Sequence, residues 1–153
     1  MHFLMAALPV VFYLIALLFG SLGVRQPFCS ADLGPTLQWM LTLGLGIPSL
    51  WAAVGHSLNS EHVAKSIGWL PSPFQKEIAG ANLGIGLGAI AASIGGPSAA
   101  WAIFLMAAAF LWSAAAVHVM DMRERKNFAI NNAGPIFWWD ILTPFTILLL
   151  LLW

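Results

Sequence analysis

Charged residues are scarce in this chain, and their scarcity excludes most classes of soluble protein. Asp, Glu, Lys and Arg make up 8% of the 153 residues, whereas soluble domains usually contain about 25%. Apolar residues make up 60%, and a soluble fold with so few charges would leave a large apolar surface in contact with water. A soluble enzyme is therefore excluded, and we expect an integral membrane protein.

The sequence also lacks the features of several other classes. Its single cysteine, Cys29, has no partner in the chain, which excludes a disulfide-rich scaffold. Six Lys and Arg balance six Asp and Glu, so the charge excess of a disordered chain is missing. No repeat suggests a coiled coil or collagen, and no alternating polarity suggests a membrane β-barrel. Helices are the remaining way to satisfy the backbone within lipid.

Uncharged intervals divide the chain into five hydrophobic segments. A helix needs about 20 residues to cross the hydrocarbon core of a bilayer. The interval 78–120 holds two such helices, separated by Gly95-Gly96-Pro97-Ser98. The last span begins near Pro135, because too few residues follow Asp140. We predict an all-α integral membrane bundle, one transmembrane domain over 1–153, with five spans at about 3–20, 36–56, 73–94, 99–120 and 135–153.

Local signals predict where some helices begin. Ser72-Pro73-Phe74-Gln75 has the pattern of a capping box with proline at the first helical position, so the third span should begin at Ser72. A short interfacial helix is predicted over about 60–67, after Asn59. The first span lacks a preceding basic region and an Ala-x-Ala-like cleavage site, so we expect it to be retained.

Basic residues are unevenly divided between the two sides of the predicted membrane. One side carries Lys65, Lys76, Arg123, Arg125 and Lys126. The other side carries only Arg25. Because basic loops remain in the cytoplasm, we expect a cytoplasmic N-terminus and cytoplasmic loops at 57–72 and 121–133. The loop 21–35, with Cys29, should face outward, and the expected location is the inner membrane of a prokaryotic cell.

Polar side chains recur near the cytoplasmic ends of the predicted spans. Ionisable groups are costly within a membrane and usually face the bundle interior or water. We predict a polar pocket formed by His56, Glu77, Asn82, His118, Asp121 and Asp140. Asp140 is the most unusual of these, because it lies inside a span and Pro144 cannot donate to its backbone carbonyl. Asp140 could equally be a hydrogen-bonded partner of His118, Asn131 or Asn132.

The other ionisable residues also have structural interpretations. The dipole at a helix start favours a carboxylate such as Glu77. His118 and Asp121 are one turn apart and could form a local pair at the membrane surface. His56 could be an interfacial side chain. The sequence leaves both interpretations open.

Glycines in the third span predict close helix packing. Gly80, Gly84 and Gly88 repeat every four residues, which is a small-xxx-small pattern. The glycines do not form a phosphate loop, because they lie in mid-membrane and follow no strand. We expect the lipid bilayer as surroundings and a homo-oligomer or a larger membrane complex as the assembly, with neither nucleic acid nor a nucleotide as a partner.

The polar cluster is compatible with three functions, and no catalytic residue can be assigned. We favour a binding or accessory subunit whose polar pocket faces the cytoplasm. The first alternative is a membrane-embedded enzyme that uses a metal ion or haem, since imidazoles and carboxylates ligate Zn, Fe, Cu or Ni and two histidines can ligate haem. Its tentative metal ligands are His56, Glu77, His118 and Asp140. The second alternative is a small oligomeric transporter or channel.

Residues 67–84 contain two short sequence blocks that resemble a known family signature. The block 67–77, Ile-Gly-Trp-Leu-Pro-Ser-Pro-Phe-Gln-Lys-Glu, is followed by Ala-Asn-Leu-Gly at 81–84. These blocks resemble the signature of a family of small, uncharacterised prokaryotic multi-pass membrane proteins, and Asn-Asn-Ala-Gly-Pro at 131–135 resembles a second block. The resemblance implies a multi-helix membrane fold and no particular activity.

Overall fold

Helices account for 81% of the chain in the computed structural model. The structure describes the backbone of residues 2–153 and the side chains of residues 6–153, and no β-strand occurs in this part of the chain. The helices are α1 (His2–Ser21), α2 (Pro35–Leu58), α3 (Ser60–Ile67), α4 (Phe74–Gly95), α5 (Pro97–Glu124), α6 (Ile130–Ala133) and α7 (Pro135–Leu152). The predicted all-helical fold is confirmed.

Four helical segments are long and apolar enough to cross a membrane. They are Pro35–Leu58, Phe74–Gly95, Pro97–Glu124 and Ile130–Leu152, the last of which joins α6 to α7. The part of α1 whose side chains are described, Ala6–Ser21, is apolar but shorter. The described residues therefore support four spans, whereas five were predicted, and a spanning α1 stays a prediction.

The start of α4 differs from the predicted capping box. The helix begins at Phe74, and its N-cap position is Pro73 rather than Ser72. None of the described side chains caps this helix end. Gln75, which was predicted to return to the backbone of the cap, instead turns inward and hydrogen-bonds His56 on α2. The local motif was misleading because a partner from another helix competed for the same side chain.

Proline shapes the middle of α2. Residues Met40–Gly46 are π-helical, and the Ile47 N–H donates to the Thr42 carbonyl five residues back. The next residue, Pro48, has no N–H, so the Gly44 carbonyl lacks its α-helical donor. The indole of Trp139 supplies a donor instead, with 2.9 Å between Nε1 and the Gly44 oxygen. The backbone carbonyl that Pro48 leaves without a donor in α2 is therefore a hydrogen-bonded contact between α2 and α7.

The close contact between α2 and α4 uses a different glycine from those predicted. A Cβ placed at Gly86 would lie 2.8 Å from Leu50 and 3.0 Å from the Gly46 oxygen, so only glycine fits. At Gly80 and Gly84 an added Cβ would meet no atom of the described chain within 4 Å. Gly88 lies against Ile103 of α5. Within one chain, therefore, Gly80 and Gly84 are exposed, and their role in association between copies stays a prediction.

Neutral side chains form the buried hydrogen bonds at the end of the bundle that carries the 22–34 loop, and the exposed Arg25 adds bonds to the Ala31 and Leu33 carbonyls. The buried Gln38 side chain donates to the carbonyls of Ser30 and Leu33, at 2.9 and 3.2 Å, and accepts from the Gln26 N–H at 3.0 Å. The Gln26 amide donates in turn to Thr42 Oγ1 at 2.6 Å. Gln26, Gln38 and Thr42 fix this end without a buried charge. The buried ionisable side chains of the described residues, His118, Asp121 and Asp140, lie at the other end.

Candidate ligand site

A cavity of about 400 Å³ lies where the ends of α2 and α5 meet the starts of α4 and α7. Most of its lining is apolar. Its aromatic side chains are Trp51, Trp69, Phe74, Phe110 and Trp139. Its amide, imidazole and carboxyl side chains are His56, Gln75, Asn82, His118, Asn131 and Asp140. We call it the His118 cavity, and four of the six residues predicted for the polar pocket line it.

The position of His118 is set by a buried asparagine. Its Nδ1 lies 2.7 Å from the Asn132 side-chain oxygen. Because an amide oxygen only accepts, the imidazole donates from Nδ1, and Nε2 is left for the cavity side. The Asn132 amide nitrogen donates to the Asn127 carbonyl at 2.8 Å, which fixes the asparagine in turn. The tautomer and the orientation of His118 therefore depend on the 125–134 loop.

Asp140 faces His118 from the first turns of α7. The aspartate is only 3% exposed, and its Oδ2 lies 3.7 Å from His118 Nε2. That separation is longer than a direct hydrogen bond. No described residue donates a hydrogen bond to the Asp140 carboxyl in the structure. A buried carboxyl is normally surrounded by donors, so this one is incompletely satisfied.

Asp121 has a different role from Asp140, although both carboxyls are buried. The Trp69 indole donates to its Oδ2 at 2.9 Å, the Asn127 amide donates to the same oxygen, and Arg125 forms an ion pair with Oδ1. Asp121 does not line the cavity. Its effect on the site is indirect: it holds Trp69, whose ring stacks on His118 with centroids 5.8 Å apart.

A second imidazole, that of His56, joins α2 to α4. Its Nδ1 forms a short hydrogen bond to Gln75 Oε1, and Gln75 is buried. Asn82, almost two turns further along α4, donates to the Ile78 carbonyl at 3.0 Å. The side chains of His56 and Asn82 both line the cavity, from α2 and α4. The cavity thus has polar groups from α2 and α4 as well as from α5 and α7.

The structure does not bring the four tentative metal ligands together. His118 and Asp140 are neighbours, but His56 is bonded to Gln75, and Glu77 is exposed and does not line the cavity. Among the residues whose side chains are described, no group of three or more His, Cys, Asp or Glu could hold a metal ion. The polar pocket predicted from sequence is therefore smaller than expected and lacks Glu77 and Asp121.

Several residues that shape the cavity were not predicted. Gln75 was interpreted as part of a helix cap, and Trp69 and Asn127 were given no role. Both Gln75 and Trp69 belong to the block that carries the family resemblance, so this block was the available signal. Asn127 has no comparable signal, because its contacts with Asp121 and with the Ile67 carbonyl join segments that are far apart in sequence.

Comparison with known proteins places the chain in a family without supplying an activity. A family model described as a family of unknown function, DUF6790, matches residues 2–153. No curated protein and no solved structure matches the chain. The match agrees with the uncharacterised family that the 67–84 block resembles. Since it extends over the whole chain apart from the first residue, the chain belongs to DUF6790, a family of unknown function.

Proposed function

We propose that this chain is a small membrane protein that binds an amphipathic small molecule in the His118 cavity, as a binding or accessory subunit. The observation that carries this proposal is the cavity itself. Ligand sites are typically concavities of about 300–1,000 Å³, mostly apolar, with a few polar groups that fix orientation. The His118 cavity has this size and composition, and its buried Asp140 is incompletely satisfied.

We also propose that α1 is a fifth span and that the cavity opens towards the cytoplasm of a prokaryotic cell. Tyr13 of α1 forms a hydrogen bond to Thr146 of α7, with 2.8 Å between the hydroxyl oxygens, which supports an α1 that lies beside a membrane helix. The cavity lies at the end of the bundle that carries five of the six Lys and Arg residues. That excess supports a cytoplasmic orientation for this end.

The alternatives have less support. A metal-dependent enzyme would need converging ligands, and among the described side chains no group of three or more His, Cys, Asp or Glu could hold a metal ion. An oligomeric transporter or channel would need a pore shared between copies, whereas the polar side chains of the His118 cavity line a pocket within one chain. The cavity therefore favours binding over these two functions.

Blocking the cavity tests the proposal. Ala114 lines the cavity, whereas Ala116, two residues further along α5, is exposed and does not. Native mass spectrometry of the detergent-purified chain should detect small-molecule adducts on the wild type and on Ala116→Phe. The Ala114→Phe variant should lose them, because a phenyl ring would occupy the space. Adducts that persist equally on Ala114→Phe would show that they bind elsewhere and would contradict the proposal.

A further inference from the structure

The ionisable groups that line the His118 cavity include a buried carboxyl without a Lys or Arg partner. They are His56, His118 and Asp140, and no Lys or Arg is among the lining residues described. The nearby Arg125 is engaged with Asp121, and Lys65 pairs with Glu61 at 2.7 Å. A carboxyl buried away from water is costly unless a cation or hydrogen-bond donors compensate it. Among the described residues, the only ion-pair partner of Asp140 is the imidazole of His118.

The imidazole of His118 does not supply a donor to Asp140 in its neutral form. Its proton is on Nδ1, where Asn132 accepts it, so Nε2 is an acceptor. Nε2 and the Asp140 Oδ2 therefore face each other as two acceptors 3.7 Å apart. Such a pair is completed by a group that donates hydrogen bonds to both atoms.

A third acceptor without a donor belongs to Asn131, another residue that lines the cavity. The Asn131 side-chain oxygen is buried and has no hydrogen-bond donor among the described residues. Its amide nitrogen is already used, since it donates to Ser66 Oγ at 2.8 Å. Asp140, His118 and Asn131 thus each carry an acceptor atom for which the described residues supply no donor.

The aromatic lining favours a positive charge on that ligand. The indole N–H groups of Trp69 and Trp139 donate to Asp121 and to the Gly44 carbonyl, so these residues offer the cavity ring surface rather than donors. The faces of aromatic rings attract cations, most strongly where water is excluded. Trp51, Phe74 and Phe110 add to this surface.

We propose that the ligand is an amphipathic amine, whose protonated nitrogen donates to Asp140 and His118 while its apolar part contacts the aromatic lining. This inference rests on the proposed binding function and narrows its ligand class. An ammonium group supplies both the missing charge and the missing donors, whereas a hydroxyl supplies one donor and no charge. A carboxylate ligand would place a second negative charge beside Asp140, which opposes binding.

Three probes that share the same apolar group distinguish an amine ligand from an alcohol and from a carboxylate. Phenylbutylamine, phenylbutanol and phenylbutyrate differ only in an ammonium, a hydroxyl or a carboxylate head group. Each would be titrated into the detergent-purified full-length chain, with tryptophan fluorescence and the shift in thermal unfolding as readouts. We expect the amine to bind about tenfold or more tightly than the alcohol, because only the amine forms a charge pair with the buried Asp140 carboxyl. The carboxylate should bind most weakly.

Matched carboxyl variants assign the effect to its residue. Asp140→Asn should lower the affinity for phenylbutylamine to that for phenylbutanol and leave the affinity for the alcohol unchanged. Glu77→Gln removes a negative charge from the exposed surface of α4, outside the cavity, and should change neither affinity. If Asp140→Asn fails to fold, the order of the three affinities on the wild-type chain still tests whether the cavity prefers an amine.

The outcomes separate this inference from the proposed function. If phenylbutanol binds as tightly as the amine, the His118–Asp140 pair is complete by itself, and the inference is wrong while a binding cavity remains. Tightest binding of phenylbutyrate would also overturn the inference. If none of the three probes binds, both the amine class and the binding function are wrong.

Discussion

At the scale of single residues, Asp121 and Asp140 show how neighbours determine the role of the same side chain. Both are 3% exposed. Asp121 receives donors from Trp69 and Asn127 and an ion pair from Arg125, so its charge is compensated within the protein. Asp140 receives no such donor, and its nearest ionisable neighbour is the His118 ring, with 3.7 Å between Nε2 and Oδ2. The first carboxyl stabilises the fold, and the second is the group that the proposed ligand would contact.

This difference predicts losses of stability of different size for substitutions of the two residues. Asp121→Ala would leave the buried donors of Trp69 and Asn127 without an acceptor, and we expect a loss of about 3 kcal/mol in the free energy of unfolding. Asp140→Asn removes an incompletely compensated carboxyl and should cost less than about 1 kcal/mol. Denaturant unfolding of both variants in the same detergent measures the contrast. Equal losses would mean that Asp140 is as firmly held as Asp121.

The residues that sequence reasoning identified and those it missed differ in a physical way. His118 and Asp140 were identifiable because a titratable group within an apolar segment is unusual whatever its surroundings. Gln75 and Asn127 are neutral amides near helix ends, where such residues are common. Their importance comes from partners that are 19 and 60 residues away along the chain, and no local pattern records those contacts.

At the scale of elements, the sequence predicted where helices lie better than which faces they bury. Pro97 begins α5 directly after Gly96, whose φ of 84° ends α4 in a conformation that favours glycine. Such breaks are visible in the sequence. The buried face of α4 is not, because a membrane helix is apolar on all sides and has no polar stripe to mark its outer face. For this reason the sequence did not indicate that Gly86, rather than Gly84, contacts α2.

Substituting these two glycines should give different results. Gly86→Leu would force a side chain into Leu50 and the Gly46 backbone, and we expect it to destabilise the fold by about 1–3 kcal/mol or more. Gly84→Leu points away from the rest of the described chain and should leave the thermal stability of the monomer unchanged. Unfolding measurements test this difference.

Association between copies is tested by the same pair. If Gly80 and Gly84 form a contact between copies, Gly84→Leu should reduce chemical cross-linking and shift the elution volume in detergent without unfolding the chain. An unchanged oligomeric state would mean that this glycine face contacts lipid.

At the scale of the whole molecule, the two ends of the bundle differ in chemistry. Neutral amides, a hydroxyl and backbone carbonyls form the buried contacts of the end near Gln38, where Arg25 adds exposed ones. Imidazoles and buried carboxyls gather at the end near His118. Most of the basic residues lie beyond the His118 end. The molecule is therefore polarised along the axis of the bundle, which suits a protein that presents a ligand site to one side of a membrane.

Labelling of single cysteines tests this orientation. In a Cys29→Ser background, Phe28→Cys and Phe128→Cys would place thiols at positions that are 81% and 68% exposed, at opposite ends of the bundle. A membrane-impermeant maleimide added to intact cells should label Phe28→Cys, and Phe128→Cys only after the membrane is opened. The reverse pattern would place the His118 cavity on the outer side.

The contacts around His118 also determine how the site can come apart. Trp69 precedes α4, Asn127 and Asn132 follow α5, and each segment relies on the other: the Asn127 amide donates to the Ile67 carbonyl and, like Trp69, to Asp121. Opening either segment would break hydrogen bonds of both. The two loops therefore form one cooperative unit, and local unfolding at this end would release the Trp69 ring and the Asn132 partner of His118 in a single event rather than in steps.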